Sequence, residues 1–278
     1  MKLNKKEISE NIQKFLKEDK SNKDITSRFF IDKKQTARAN FINEESLVLA
    51  GNLIVLNIFK KYCKNFKLLS KIDDGEKLKK KTKFLIIEGN ACDILSIERT
   101  ALNLLQHLSG ISTLTSKFCE KIKGSKTTLL DTRKTTPGIR ALEKYATSIG
   151  GAKNHRLNLS DRFMIKDNHL LLNSNIFRKI QKMNQNKKNT LIIECDNLFQ
   201  VKKSVDLKIK HILLDNMIIK NIKKSCKLIG KSAKVEVSGG INLQNIKKIS
   251  SIGVDFISVG AITQSAPAAN ISLEIEKI

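Results

Sequence analysis

Ten residues, Asp131-Thr132-Arg133-Lys134-Thr135-Thr136-Pro137-Gly138-Ile139-Arg140, gather a carboxylate, an adjacent Arg–Lys pair and three threonine hydroxyls into one stretch. Groups of these types bind and orient anions. The stretch follows a short apolar run ending at Leu130, of the length of a buried strand. Thr136-Pro137 has the form of a helix start, with Thr as cap and Pro in the first turn. Further on, Lys166, Glu194, Asp215 and Ser238 each close an apolar run and precede a helical one. A single polar residue at such a place is commonly only a helix cap. Five in successive units, counting Asp131, are expected to converge on one end of a parallel sheet, where βα barrels carry their chemistry. Carboxylates there can stabilise developing positive charge or hold a Mg²⁺ shared with phosphate oxygens, and Glu194 and Asp215 are the candidates for that ion.

Glycines complete the set. Ser238-Gly239-Gly240 and Gly260 follow the last two strand candidates, where barrels commonly bind phosphate through open backbone N–H groups. His155-Arg156 comes just after Gly150-Gly151 and can orient an anionic ring. Eight arginines are present, and five of them (Arg99, Arg133, Arg140, Arg156, Arg162) lie between positions 99 and 162. Elsewhere the chain fills cationic positions with lysine. Arginine's planar fork matches paired oxygens in a way lysine cannot copy. Arg99, Arg133, Lys134, Arg156 and Lys166 exceed what one phosphate needs, so a second, multiply anionic ligand such as a dicarboxylate is expected.

The elements that must position these residues follow from periodicity. Residues 4–18 have helical spacing, with Ile8, Ile12, Phe15 and Leu16 on one face. Positions 37–50 read as two short strands, 51–62 as a helix, and 66–72 and 83–88 as two more strands joined through Asp73-Asp74-Gly75. This predicts an N-terminal α+β unit with a mostly antiparallel sheet. A long amphipathic helix starts near Asp93, is ended or kinked at Ser109-Gly110, and resumes to Ile122. From residue 127 strands recur at 129–131, 163–166, 191–194, 212–215, 235–238 and 256–260. Helices are expected at 138–149, 170–183, 198–205, 217–228 and 243–252. Repeated βα predicts a parallel sheet under helices, a barrel or a doubly wound sheet.

Composition narrows the class. The chain has 278 residues, 40% of them apolar, and no run near the length of a membrane span. Five cysteines in no metal-ligand spacing point to reduced thiols and a cytoplasmic setting. Cys195, inside an apolar run, reads as a core residue. The net charge of +25 is mostly scattered lysine, and aromatics make up only 5%, without Trp. No stacking platform is expected, so the charge is read as attraction for anionic substrates and not as nucleic-acid binding.

Glu98-Arg99-Thr100-Ala101-Leu102-Asn103, Asp131–Arg140, Asn154-His155-Arg156, Ile165-Lys166-Asp167-Asn168-His169 and Val235–Ile241 together resemble the quinolinate phosphoribosyltransferase family, in the right order and over nearly the whole chain. The resemblance implies an incomplete, TIM-like α/β barrel of the type II phosphoribosyltransferases over residues 109–263. It also implies an α+β sandwich domain over 1–108, joined by the tail 264–278. It implies that quinolinate and phosphoribosyl pyrophosphate are joined with Mg²⁺, releasing pyrophosphate and carbon dioxide and leaving nicotinate mononucleotide, in a homodimer with shared sites. By motif, Arg133, Lys134, His155, Arg156 and Lys166 would hold the carboxylates and nearby phosphates. Glu194 and Asp215 would lie by the ribose and metal, Ser238, Gly239, Gly240 and Gly260 by phosphate, and Arg99 would reach the partner's site. Lys134 or Lys166 would steady the decarboxylation step. The alternatives are a same-fold relative with another acceptor, or a non-catalytic basic nucleic-acid-binding protein. Ala152-Lys153, Asn158 and Lys23 depart from the family pattern at loop positions, with none expected to touch ligand.

Overall fold

The computed structural model describes Leu3 and the backbone from Lys5 to Ile278, with side chains at Leu3 and from Ile8 onward. In chain order the first elements are α1 (Lys5–Glu18), α2 (Ile25–Phe30), β1 (Thr36–Asn43), β2 (Leu47–Val48), α3 (Asn52–Tyr62), β3 (Lys67–Lys71), β4 (Lys77–Leu78), β5 (Lys83–Asn90) and α4 (Ala91–Lys121). There follow β6 (Thr128–Leu130), α5 (Arg140–Ile149), β7 (Met164–Ile165), α6 (Asp167–Leu172), α7 (Ile176–Lys182), α8 (Gln185–Asn189) and β8 (Ile192–Cys195). The last are α9 (Leu198–Asp206), β9 (His211–Asp215), α10 (Ile219–Ile229), β10 (Lys234–Ser238), α11 (Ile246–Ser250), β11 (Phe256–Ser258), α12 (Ala261–Gln264) and β12 (Ile271–Lys277). The first expected helix includes Asn4, which lies outside the described residues.

Two compact units result. One takes the chain up to Ser116 with Thr135–Gly151 and Ile262–Ile278; the other takes Lys117–Lys134 and Ala152–Ala261. The first unit holds an antiparallel sheet in the order β12-β1-β5-β3 and the short pair β2–β4. Its core packs Phe41, Phe59 and Phe84 with aliphatic residues of α3 and α4. Segment 135–151, read from sequence as part of the barrel, groups with this unit, because Leu142 and Ala146 of α5 join its core.

α4 is one continuous helix of 31 residues, so the expected break at Ser109-Gly110 does not occur. The pair serves packing instead. A Cβ on Gly110 would stand 2.0 Å from the Pro267 carbonyl oxygen, so only glycine admits that segment. The Ser109 hydroxyl bonds both the N–H and the carbonyl of Ala50, at 3.1 Å each. Thr136-Pro137 does not open a helix either. α5 begins at Arg140, and the Thr136 N–H donates to the buried Glu143 carboxylate at 3.0 Å. The single helix expected over 170–183 is two, α6 and α7. Between them the Asn173 side chain accepts the Asn175 N–H at 3.0 Å, an Asx turn that competes with the helix.

The second unit is built on a sheet whose strands run β6-β11-β10-β9-β8-β7, every pairing parallel. Strands β7 to β11 lie in sequence order, and β6 joins at the far side of β11. The βα succession therefore curls into an incomplete barrel, open between β6 and β7. A parallel bridge from Leu130 to Lys153 lines part of the opening. All five cysteines are free, and Cys195 is wholly buried, with its thiol pushed up to about 12 by burial. No helix among the described residues is long and apolar enough to cross a membrane.

Candidate active site

The C-terminal strand ends of the second unit enclose a cavity of about 440 Å³, within the usual range for a small-molecule site. Its lining includes Arg133, Lys134, His155, Arg156, Lys166, Glu194, Asp215, Ser238, Gly239, Gly240 and Gly260. Every sequence-selected site residue is thus brought together, except Arg99 and Asp131. Arg99 lies on α4 in the first unit, exposed and outside this lining.

Lys166 and Glu194 face one another across β7 and β8, with Nζ 2.5 Å from Oε2. The Glu194 side chain is 10% exposed, the lysine 43%. Burial raises the proton affinity of Glu194, the Lys166 ammonium opposes this, and the charge of Asp215 adds to the rise. The net shift is upward, so the carboxylate is a desolvated one that gains from a nearby cation.

Asp215, at the end of β9, accepts from the Ser238 hydroxyl at the end of β10 and from the Asn216 amide at 2.7 Å. Asn216 is itself in the left-handed region, at φ 51°, and its N–H donates to the Ser238 carbonyl at 3.1 Å. Gly239 has φ +85°, and a Cβ there would lie 2.1 Å from Asn216 Oδ1 and 2.7 Å from its backbone nitrogen. Only glycine lets the two loops pass so closely. At Gly260 an added Cβ would come 2.8 Å from Lys134 Cδ, so the lysine side chain packs directly over this glycine. The Thr132 hydroxyl accepts the Lys134 N–H at 3.1 Å and sets that loop. Arg156 is made less basic by burial and by the neighbouring Arg133, so both cations gain from an anion placed between them.

Asp131 departs from expectation. It is fully buried, absent from the cavity lining, and turned toward the following loop, where it accepts the Asn154 amide at 2.6 Å and the His155 N–H at 2.8 Å. The Leu130–Lys153 bridge brings that loop alongside β6, which is why the carboxylate points sideways. It holds the site's frame and does not converge with the other strand ends.

Glu236, which the sequence reading did not select, also lines the cavity. It has no exposed surface and sits mid-strand in β10. Its Oε2 takes His211 Nε2 at 2.7 Å and His155 Nε2 at 3.4 Å, and its Oε1 takes the Ser258 hydroxyl at 2.6 Å. Burial raises its proton affinity, but the two histidines outweigh burial and bring its pKa down to about 2.

No group of three or more His, Cys, Asp or Glu able to hold a metal stands among the described residues. Glu194 and Asp215 do line the same cavity, with Arg and Lys around them. Two carboxylates so placed suit a cation that draws its other ligands from phosphate and water, as Mg²⁺ does, and not one caged by protein.

An incomplete βα barrel with glycine-rich loops after its last strands, paired carboxylates and an arginine–lysine cluster defines a barrel enzyme acting on phosphorylated, anionic substrates. Residues 24–109 match the family model for the quinolinate phosphoribosyl transferase N-terminal domain, and residues 111–274 match that for its C-terminal domain. The chain belongs to the quinolinate phosphoribosyltransferase family. It is 37% identical over 243 residues to a probable nicotinate-nucleotide pyrophosphorylase (carboxylating) of Synechocystis sp., covering 86% of this chain and 82% of that one. Among solved structures it is similar to the nicotinate-nucleotide pyrophosphorylase of Ehrlichia chaffeensis, with TM-score 0.90, 37% identity, and coverage of 99% and 100%. It is also similar to NadC of Streptococcus pyogenes, with TM-score 0.93, 30% identity, and coverage of 100% and 99%.

Proposed function

We propose that the cavity at the strand ends of the second unit is where quinolinate receives a phosphoribosyl group and loses a carboxylate. Family membership makes the chain a decarboxylating phosphoribosyltransferase of NAD biosynthesis, acting on quinolinate and phosphoribosyl pyrophosphate. The observation that carries the site assignment is the pairing, in one cavity, of Arg133, Lys134, Arg156 and Lys166 with Glu194 and Asp215. The cations suit the two carboxylates of the acceptor. Ser238, Gly239, Gly240 and Gly260 suit the phosphates.

In this reading the pyridine nitrogen's lone pair forms the bond to the anomeric carbon. The carbon–oxygen bond breaks and its electron pair leaves with pyrophosphate. Positive charge developing on the ribose is stabilised by Glu194 and Asp215, already fixed by Lys166 and Ser238. Glu194 and Asp215 would hold a Mg²⁺, which would supply positive charge to offset the negative charge building on the departing pyrophosphate. The cation cluster holds nitrogen and carbon in reacting position, so the encounter becomes effectively intramolecular. The carbon–carboxylate bond beside the alkylated nitrogen then breaks and carbon dioxide leaves. The electron pair stays on the ring carbon, which takes up a proton; Lys134 or Lys166 steadies that charge.

The working form is a homodimer in which Arg99 serves the partner's site. Ile25, Phe29 and Phe30 are 82%, 81% and 75% exposed, and Leu171 and Leu172 are 82% and 85% exposed, which supports a covering second copy. A cytoplasmic setting is part of the same reading, supported by the unpaired thiols. The test is product stoichiometry with carboxyl-labelled quinolinate. One carbon dioxide and one pyrophosphate per nicotinate mononucleotide are expected; pyrophosphate without labelled carbon dioxide overturns the reading.

A further inference from the structure

Glu236 is the one carboxylate lining the cavity that the proposed chemistry leaves unused. Its partners describe a relay of positions. Oε2 faces the Nε2 atoms of both His155 and His211, and Oε1 is held by Ser258 from the next strand, β11. The other ring nitrogen of His155, Nδ1, accepts the backbone N–H of Arg156 at 2.8 Å. A ring nitrogen that accepts an N–H carries no proton, so the His155 proton sits on Nε2 and points at Glu236. Both ring nitrogens are then committed within the protein. His155 cannot offer a ring N–H to the ligand without giving up one of these bonds.

The same corner is held from its other side. Asp131 accepts the His155 N–H, and its second oxygen accepts the Asn154 amide. Two fully buried carboxylates, one on the loop after β6 and one within β10, thus fix the backbone and the ring of a single residue. What that residue fixes in turn is Arg156. Its N–H ends on the imidazole, its guanidinium, partly desolvated beside Arg133, donates to the Arg162 carbonyl at 3.4 Å, and the residue lines the cavity.

We propose that Glu236 is a positioning residue for the acceptor: it locks His155 in the Nε2–H tautomer and through it aims Arg156 at a substrate carboxylate. The idea rests on the acceptor reading given above. A glutamine at 236 would keep the shape, but its amide N–H₂ can turn toward His155 Nε2 and drive the ring proton to Nδ1. That displaces the Arg156 N–H from its acceptor.

Two readouts test this. In the wild-type protein with ¹⁵N-labelled histidine, His155 is one of four histidines to assign. It should show a protonated Nε2 and an unprotonated Nδ1, and in Glu236→Gln that pattern should invert or average. In turnover, Glu236→Gln should raise KM for quinolinate by roughly ten- to a hundredfold, the worth of a misaligned charge-assisted contact, with KM for phosphoribosyl pyrophosphate within about threefold. Finding Nδ1–H in the wild type, or a folded Glu236→Gln with unchanged quinolinate KM, overturns the proposal. The spectrum needs no activity, so absence of turnover in the wild type would strike the functional reading alone. If Glu236→Gln does not fold, the wild-type tautomer still decides.

Discussion

Lys166 and Glu194 can be separated by a double-mutant cycle on the ligand-free protein. Lys166→Met leaves Glu194, only 10% exposed, without the ammonium 2.5 Å away. A hydrogen bond to a charged group contributes about 1.5–3 kcal/mol when buried. The lysine is 43% exposed, so solvent screening reduces that to about 1 kcal/mol. Stranding the carboxylate adds about another 1 kcal/mol of uncompensated desolvation. Lys166→Met should therefore cost about 2 kcal/mol. Glu194→Gln should cost about 1 kcal/mol, because the freed lysine turns to solvent. The double variant removes both charges and should cost about 1.5 kcal/mol, against about 3 for the sum, giving a coupling near 1.5 kcal/mol. Thermal unfolding reads this directly, at roughly 2–4 °C per kcal/mol for a chain of this size. Additive single shifts would refute the claim that burial and the pair together set the state of Glu194.

Other consequences follow from the same geometry. Gly239→Ala and Gly240→Ala both force alanine to positive φ, at +85° and +62°, but only the first meets Asn216. In ligand-free thermal unfolding Gly240→Ala should lose about 1–2 kcal/mol and Gly239→Ala clearly more; equal losses would contradict the close loop passage. Glu236 has its acidity strengthened from the ordinary 4.5 to about 2, so its contribution to stability is complete above pH 4.5 and is lost as pH falls toward 2. Denaturant titrations over that window should show a steeper loss for wild type than for Glu236→Gln, and parallel curves would count against the cluster. Mixing Arg99→Ala with Lys134→Met chains should restore about a quarter of wild-type activity on random reassociation, if sites are shared in a twofold dimer. No recovery would leave Arg99 without its role.

The face that carries the candidate site was legible because polar residues at successive strand ends carry their own signature. Lys166, Glu194, Asp215 and Ser238 each close an apolar run, and the parallel pairing of β7 to β10 puts all four around one cavity. Asp131 obeys the same local pattern yet turns aside, because the bridge from Leu130 to Lys153 supplies a neighbour that no local pattern announces. Glu236 carries no such strand-end signature, for a related reason. Val-Glu-Val reads as an alternating strand with its carboxylate toward water, but both faces of a covered parallel sheet are buried. The signal was a lone charge in such a strand, with histidines at 155 and 211 to pair it. The unbroken α4 was equally hidden, since Gly110 answers to Pro267 from the far end of the chain. Local chemistry is written locally, and its orientation depends on distant segments.

The acceptor distinguishes the proposed activity most directly. Pyrophosphate release from phosphoribosyl pyrophosphate should be measured with quinolinate and with nicotinate under the same conditions. Arg133, Arg156 and Lys166 around one cavity predict rapid release with quinolinate and little with nicotinate, which lacks the second carboxylate. Equal or faster release with nicotinate would contradict the account. So would no release at all from a protein that binds oligonucleotides tightly at ~0.15 M salt.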